Sequence, residues 1–289
     1  MRLDDQRESS NVEDMRGASG GGFGGRTIGI GGVVIALIAS YFFGVDPGVL
    51  IGMMGGGDSD SPVSQQVPQG PAPAPVKDAQ YMMVSQVLAS TEDAWGQIFR
   101  EGGKTYQPPK LTLYERTLPT ACGMGQSAMG PFYCPQDHKV YLDLSFFRTM
   151  KERFHAAGDF AQAYVIAHEI GHHVQSLLGI TDQMEQMRER GSRGDANALS
   201  VKIELQADCF AGVWAARADK TRKLLEAGDV EEAIGAATAI GDDTLQKQTQ
   251  GRVVPDSFTH GTSAQRVRWL KRGLETGDMR ACDTFRGQL

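Results

Sequence analysis

Positive charge is in short supply in this sequence. Its 289 residues carry 29 Lys and Arg against 35 Asp and Glu, which gives a formal net charge of −6. Proteins that bind nucleic acid need a Lys and Arg surface for the phosphates, so this balance argues against nucleic acid as a partner. Cysteine is also scarce, and no spacing among the four cysteines is that of a cysteine-rich zinc site. The chain still has 40% hydrophobic residues, which are enough to bury a core and exclude wholesale disorder.

Glycine, by contrast, is abundant, and the dense runs among its 36 residues lie in the first fifth of the chain. Residues 1–26 have little apolar content and mixed charge, and they end in a Gly-rich run. Such a composition cannot bury enough apolar surface to order itself. We therefore predict a disordered tail over 1–26.

Charge is absent from the run TIGIGGVVIALIASYFFG at residues 27–44. Its length of about 18 residues is near the lower limit of about 17–25 for a helix that spans a membrane. Glycine is more frequent in spanning helices than in soluble ones, and Tyr41, Phe42 and Phe43 would form an aromatic belt at one interface. We predict a transmembrane helix over 27–44, and the alternative is a buried core helix.

The orientation of this helix follows from the basic residues around it, since no Lys or Arg lies between Arg26 and Lys77. Lys and Arg near a membrane helix are retained on the cytoplasmic side, so we expect a cytoplasmic tail and an extracytoplasmic, periplasmic remainder. A cleaved signal peptide is the competing interpretation, but the polar region before the apolar run is long and rich in Asp and Glu. The sequence therefore predicts a single-pass protein of the cell membrane with an uncleaved anchor.

The composition changes again after the apolar run. Residues 45–77 are rich in Gly, Pro and Ser, and the PAPAP element favours extended polyproline geometry, so we predict a semi-rigid linker. Residues 78–289 have an ordinary globular composition and the size of one domain.

All four cysteines lie in this last domain, where an even number outside the cytoplasm fits two disulfides. Cys122 and Cys134 flank a turn-rich loop that a disulfide would close, and Cys209 and Cys282 then form the other pair by elimination. Free buried thiols are the alternative.

Periodicity gives the coarse structure of the domain. Alternation of polar and apolar residues predicts strands at 110–114 and 139–144. Because few strands precede many helices, the fold class is α+β, mostly helical with a small sheet. Apolar residues at helical spacing predict helices over 79–99, 145–154, 159–178, 182–190, 196–218, 230–248 and 263–275.

The helix over 159–178 contains the pattern H-E-x-x-H at residues 168–172. His168 and His172 project from one helical face, close enough to ligate one zinc ion through imidazole nitrogens. Glu169 lies on the neighbouring face, where it can take a proton from a water that the metal acidifies and later deliver it to a leaving amine. Apolar flanks at helical spacing favour a buried helix over a chance match. His173 points elsewhere, and we interpret it as a core or surface histidine.

A catalytic zinc ion needs a third protein ligand beside an open position. No H-x-x-G-x-x-H continuation follows the second histidine, so a carboxylate is expected rather than a third histidine of the metzincin type. Glu204 and Asp208 lie four apart on one face of an otherwise apolar helix, where carboxylates rarely lie without a partner. We predict Glu204 as the third ligand and Asp208 as the acceptor that orients the second ring nitrogen of His168. The alternative is two helix salt bridges, with Lys202 or Arg217.

At these motifs the sequence resembles the neutral zinc metallopeptidase family of bacterial membrane-anchored proteins and is similar to the broader gluzincin group. The resemblance covers nearly the whole chain and includes AYVIAHEIGHHVQ and ELQADCFAGVWA. It implies a zincin-like metalloprotease domain, in which the H-E-x-x-H helix packs under a small sheet whose edge strand receives peptide substrate. By similarity to thermolysin-like enzymes it implies His168, His172 and Glu204 as ligands and Glu169 as base. Ile203 replaces the Asn of the thermolysin pattern, which leaves some ligand support unassigned.

Gluzincins usually add a His or Tyr that hydrogen-bonds the oxyanion of the reaction. We predict His260 for this role, because it lies just before a helix that Thr262 or Ser263 caps. A surface or capping histidine is the alternative, and Tyr133 or Tyr141 could take the role instead. The segment PFYCPQDHKVYLDL would supply the substrate-facing edge strand.

These features predict a membrane-anchored zinc metallopeptidase, an endopeptidase, with Zn²⁺ as cofactor and a peptide or protein as substrate. The alternative is a catalytically silent zinc-binding scaffold or chaperone-like protein of the envelope. The presence of the base Glu169 beside all three ligands favours the enzyme. A peptidase acting on cell-wall peptides is a further alternative that differs only in the substrate.

Overall fold

The computed structural model of the protein describes residues 1–4, 6–17, 77–126 and 130–286. These residues form a mostly helical structure with a small sheet, as predicted. The α-helices are α1 (Ala79–Glu101), α2 (Ser145–Arg153), α3 (Asp159–Leu177), α4 (Ile180–Arg190), α5 (Arg193–Arg222), α6 (Asp229–Ala239), α7 (Asp242–Gln250) and α8 (Ser263–Thr276). The strands are β1 (Val12–Asp14), β2 (Lys110–Tyr114), β3 (Thr117–Thr120), β4 (Gly123–Gln126), β5 (Phe132–Cys134) and β6 (Lys139–Asp143).

The main sheet has four strands in the order β1-β2-β6-β5. β1, β2 and β6 run in parallel, whereas β5 runs antiparallel to β6 at the edge. Leu111 and Leu113 of β2 and Leu142 of β6 are fully buried, so this part of the sheet packs into the core. β3 and β4 form a separate two-stranded hairpin.

Helix α3, which carries the H-E-x-x-H pattern, is buried on nearly all sides. It packs against α1, α5 and α6 and against strands β5 and β6. Gly171 makes the close approach to α5 feasible, since a Cβ there would lie 3.0 Å from the Cα atom of Ala207. The glycine inside the motif therefore brings the histidine helix against the helix of Glu204.

One predicted helix is wrong in extent. The sequence predicts a single helix over 230–248, but the chain divides there into α6 and α7 at Gly241. A Cβ at Gly241 would overlap the main chain of Ser263, so the backbone at Gly241 packs directly against the start of α8. Asp242 then accepts hydrogen bonds from the main chain of Thr259, His260 and Gly261, which fixes the loop before α8.

The described part of the amino-terminal segment is ordered, in contrast to the predicted disordered tail over 1–26. Val12–Asp14 forms β1 and pairs with β2. Several of its charges form ion pairs at the first helix and its N-cap: Arg7 lies 2.7 Å from Glu92, and Arg16 lies 2.7 Å from Asp78. Mixed charge therefore marks a docked segment here, where the sequence favoured a solvated one.

The transmembrane part of the predicted fold class is corrected. The predicted helix over 27–44 lies outside the described residues, as does the linker up to residue 76. In the described ranges, no helix has the length and apolar character needed to cross a membrane. The predicted single-pass localisation is contradicted as well, since β1 before residue 27 and β2 after residue 44 pair in one sheet. A single crossing between them would separate these two strands by the membrane.

Both predicted disulfides are confirmed. Cys122 is bonded to Cys134, which closes the hairpin region onto the edge strand β5. Cys209 of α5 is bonded to Cys282, which ties the carboxy-terminal segment to the core.

Candidate metal centre

Helices α3 and α5 bring the three predicted ligands together. The rings of His168 and His172 lie on the same side of α3 in an edge-to-face arrangement, with their centroids 4.8 Å apart and their planes at 89°. Glu204 of α5 lies opposite: one carboxylate oxygen is 3.1 Å from Nε2 of His168, and the other is 3.6 Å from Nε2 of His172. One ligand atom from each residue lies within 4.8 Å of the others.

This donor set fits zinc. Ligand atoms placed about 2.0–2.1 Å from a tetrahedral zinc ion lie about 3.3 Å apart, which is close to both carboxylate-to-nitrogen distances. Two imidazoles and one carboxylate are also the ligands of many catalytic zinc sites. His168 is 7% exposed, whereas His172 and Glu204 are partly exposed toward a cavity of about 500 Å³ that all three residues line.

The second ring nitrogen of His168 is held by a buried charged cluster. Nδ1 of His168 donates to Asp208 at 2.8 Å, and the Tyr164 hydroxyl donates to the same carboxylate oxygen at 2.5 Å. Arg266 of α8 donates through two nitrogens to Asp208, each at 2.9 Å. This arrangement leaves Nε2 of His168 directed at Glu204, on the side where a metal would bind.

The charges of this cluster set its pKa values. Burial opposes ionisation of Asp208, but Arg266 and His168 lower its pKa to about 2. Burial likewise disfavours the cationic form of His168, yet Asp208 and Glu204 raise its pKa to about 10. For Glu204, the positive charge of the neighbouring histidines outweighs burial and holds the pKa well below its ordinary value. Both carboxylates are therefore ionised at neutral pH.

Glu169 lies beside the ligands, at the cavity wall. Its side chain is 8% exposed, and burial raises its pKa above the ordinary value against the effect of the two histidines. The main-chain N–H of Tyr133 in β5 adds a smaller effect in the same direction as the two histidines. A carboxylate of raised pKa, held at the junction of the ligand helix and the edge strand, is suited to general base chemistry.

His260, the predicted oxyanion residue, also reaches the cavity. Its ring nitrogen Nδ1 lies 3.2 Å from Asp242, and its main-chain N–H donates to the same side chain. Burial opposes protonation, but Glu204 and Asp242 raise the pKa of His260 above the usual range. Thr262 caps α8 directly after it, through a capping box with Gln265.

The two tyrosines considered for the same role differ in position. Tyr133 lines the cavity, but its hydroxyl lies 2.9 Å from Nδ1 of His138 and 3.1 Å from Nδ1 of His173. Tyr141 donates its hydroxyl to Asp137 at 2.7 Å and is not among the described residues that line the cavity.

The proposed salt bridges of Glu204 and Asp208 with Lys202 or Arg217 are not formed. Arg217 instead contacts Glu101 at 3.0 Å, and Asp208 pairs with Arg266. Sequence reasoning missed Arg266, although a signal exists. It lies at helical spacing on the same face as the buried residues Trp269, Leu270 and Gly273, where a cation needs an acidic partner.

A second cluster of carboxylates, formed by Asp159, Asp229 and Glu232, has ligand atoms close enough to hold a cation. The amino-terminal ammonium of Met1 lies there, 3.0 Å from Asp159 and 3.2 Å from Asp229. An ammonium group therefore offsets part of the negative charge of this cluster, which lacks the imidazoles of the first one.

Comparisons with known proteins agree with the chemistry of the first cluster. A sequence model of the family described as "Putative neutral zinc metallopeptidase" matches residues 1–285. The chain is 53% identical over 293 residues to "Uncharacterized protein YpfJ" of Escherichia coli strain K12, with 99% of each chain covered. It is 43% identical over 190 residues to "Uncharacterized protein Rv2575" of Mycobacterium tuberculosis strain H37Rv, which is 62% of this chain and 63% of that one. No solved structure matches the chain. On the strength of the family match, the chain belongs to this family.

Proposed function

We propose that the protein is a zinc-dependent endopeptidase that hydrolyses peptide bonds with water. His168, His172 and Glu204 are the residues that would hold the zinc ion, and Glu169 is the general base. The observation that carries the proposal is the position of Glu169, a buried carboxylate of raised pKa beside two imidazoles and a third ligand. A purely structural zinc site has no use for such a base.

Zinc, when bound, supplies a Lewis acid that polarises the peptide carbonyl and makes water a nucleophile at neutral pH. Glu169 accepts a proton from the attacking water and delivers it to the leaving amine. The raised pKa of Glu169 favours this role, since a stronger base accepts the proton more readily. Asp208 and Arg266 keep His168 in one orientation during the reaction.

Two further elements support peptide hydrolysis. The edge strand β5 contributes Phe132 and Tyr133 to the cavity, so an extended peptide can add to it by main-chain hydrogen bonds. His260 lies on the cavity wall with a raised pKa, and its protonated ring can donate to the oxyanion.

The substitution Glu169→Gln tests the proposal in the full chain. We expect zinc content to stay at that of the wild type and hydrolysis of a peptide library, read by mass spectrometry, to fall about 10²–10⁴-fold, the usual contribution of a general base. Glu185→Gln on α4 is the matched control, because Glu185 is exposed, and it should leave both readings unchanged. A wild-type protein that holds zinc but cleaves no member of the library would favour the zinc-binding scaffold. A Glu169→Gln variant as active as the wild type would remove Glu169 as the base.

A further inference from the structure

The two ligand histidines differ in the partner of their second ring nitrogen. His168 donates to a carboxylate, Asp208, whereas Nδ1 of His172 lies 2.9 Å from the amide oxygen of Gln175, three residues further along α3. Gln175 is 1% exposed and lies on the same helical face as His172. The orientation of this amide determines whether Nδ1 of His172 carries a proton.

The orientation of the Gln175 amide is fixed by Ile203, because the main-chain carbonyl of Ile203 can only accept a hydrogen bond. The amide nitrogen of Gln175 donates to that carbonyl at 2.7 Å and to the side-chain oxygen of Gln206 at 3.1 Å. Both hydrogens of the amide are thereby used, so its oxygen must face His172. An amide oxygen cannot donate, and Nδ1 of His172 must therefore carry the proton. The lone pair then lies on Nε2, which faces Glu204.

Gln206 is fixed in turn by the carboxy-terminal segment. Its amide nitrogen donates at 2.9 Å to the main-chain carbonyl of Cys282, which again can only accept. Cys282 is buried and bonded to Cys209 of α5. A directed series of hydrogen bonds therefore runs from the Cys282 carbonyl through two buried amides to His172, and every amide in it has one allowed orientation.

The series also accounts for the departure from the thermolysin pattern at Ile203. The side chain there is apolar, but its main-chain carbonyl still serves the site by orienting Gln175. Support for His172 comes from the histidine helix itself, from α5 and from the carboxy-terminal segment, whereas support for His168 comes from α5 and α8.

We propose that Gln175 is a positioning residue for the zinc site: with Gln206, it holds the His172 ring in the tautomer whose Nε2 is free to bind the metal. This inference rests on the zinc site of the proposed function but not on peptidase activity. Outer partners of a ligand histidine typically contribute about 10–100-fold to metal affinity.

The test uses Gln175→Met in the full chain, which keeps the side-chain length but removes the acceptor. We expect zinc affinity, measured by competition with a chelator, to fall about 10–100-fold. In the zinc-free wild type at a pH where the ring is neutral, the ¹⁵N resonances of His172 should report a proton on Nδ1, and in the variant a mixture of tautomers. Gln246→Met is the matched control, because Gln246 is equally buried and bridges Ser257 and Val254 away from the site. It should change neither reading.

Three results would overturn the proposal: an unchanged affinity in Gln175→Met, an equal loss in Gln246→Met, or a wild-type His172 ring with its proton on Nε2. If Gln175→Met does not fold, Gln206→Met replaces it and should lower affinity by a smaller factor in the same direction, and no change there contradicts the series. Neither reading needs hydrolysis, so a protein that binds zinc but cleaves nothing would refute the proposed function and leave this inference standing.

Discussion

His172 and His173 are neighbours on helix α3, yet they lie in opposite surroundings. His172 faces the cavity, where its Nε2 lies 3.6 Å from Glu204 and its Nδ1 is held by Gln175. His173 is 1% exposed on the other side of the helix, and its Nε2 donates to the main-chain carbonyl of Gln107 at 2.6 Å. One residue along a helix rotates a side chain by about 100°, which is enough to exchange one environment for the other.

The role of each histidine depends on its burial and its hydrogen-bond partners, since the residue type is the same. Burial lowers the pKa of His173 to about 4, so this ring is neutral at physiological pH and serves as a fixed hydrogen-bonding group. Its Nδ1 lies 3.1 Å from the Tyr133 hydroxyl, and this contact ties α3 to the edge strand β5. His172 instead keeps one nitrogen directed at a carboxylate and open to the cavity.

The largest expected effect that separates the two histidines is on zinc affinity. Zinc binding at structural sites contributes about 10–16 kcal/mol of free energy. Loss of one of the three or four ligands therefore costs on the order of 4 kcal/mol, or roughly 1,000-fold in affinity. We expect His172→Ala to show this loss in chelator competition, and His173→Gln, which keeps a donor for Gln107, to bind zinc like the wild type. Equal losses of zinc affinity in both variants would contradict the assignment of His172 as a ligand and of His173 as a residue outside the zinc site.

The next effect is the loss of stability as pH falls below 6.5 in the zinc-free protein, to which protonation of His173 should contribute. Its pKa is about 4 when folded and about 6.5 when unfolded, so the unfolded state binds more protons between these values. The free energy of unfolding should therefore fall by about 3 kcal/mol as pH drops from 6.5 to 4, and this contribution should be fully present above pH 6.5. Denaturant titrations at pH 7 and pH 4 should show a smaller drop for His173→Gln. An identical drop in variant and wild type would contradict the assignment.

The smallest effect concerns the Tyr133 hydroxyl, which contacts His173 and His138. Tyr133→Phe removes these hydrogen bonds and should cost about 1 kcal/mol of unfolding free energy. It should leave zinc affinity and the rate of peptide hydrolysis unchanged, since the hydroxyl is engaged away from the ligands. A fall in kcat of about 10²–10³, as for loss of an oxyanion donor, would instead assign Tyr133 the role proposed for His260.

Local patterns account for what the sequence could predict. The i and i+4 spacing of His168 and His172, and of Glu204 and Asp208, places each pair on one helical face regardless of the rest of the fold. The long helices follow from apolar periodicity in the same way. Strand β5, with only Phe132, Tyr133 and Cys134, is too short to show alternation as an element of its own.

The features that the sequence could not predict are contacts between residues far apart in the chain. Arg266 reaches Asp208 across 58 residues, and Gln206 reaches the carbonyl of Cys282 across 76, so neither contact leaves a local pattern. The amino-terminal segment was misjudged for the same reason. Its charges look solvated in the sequence, but Arg7 pairs with Glu92, 85 residues away.

Diffraction from crystals of the full chain grown with zinc, recorded at the zinc absorption edge, tests the central claim most directly. The account predicts one strong anomalous peak bounded by Nε2 of His168, Nε2 of His172 and the Glu204 carboxylate, with His173 still bonded to Gln107. A peak at the cluster of Asp159, Asp229 and Glu232, a metal bound to His173, or no peak at all would contradict it.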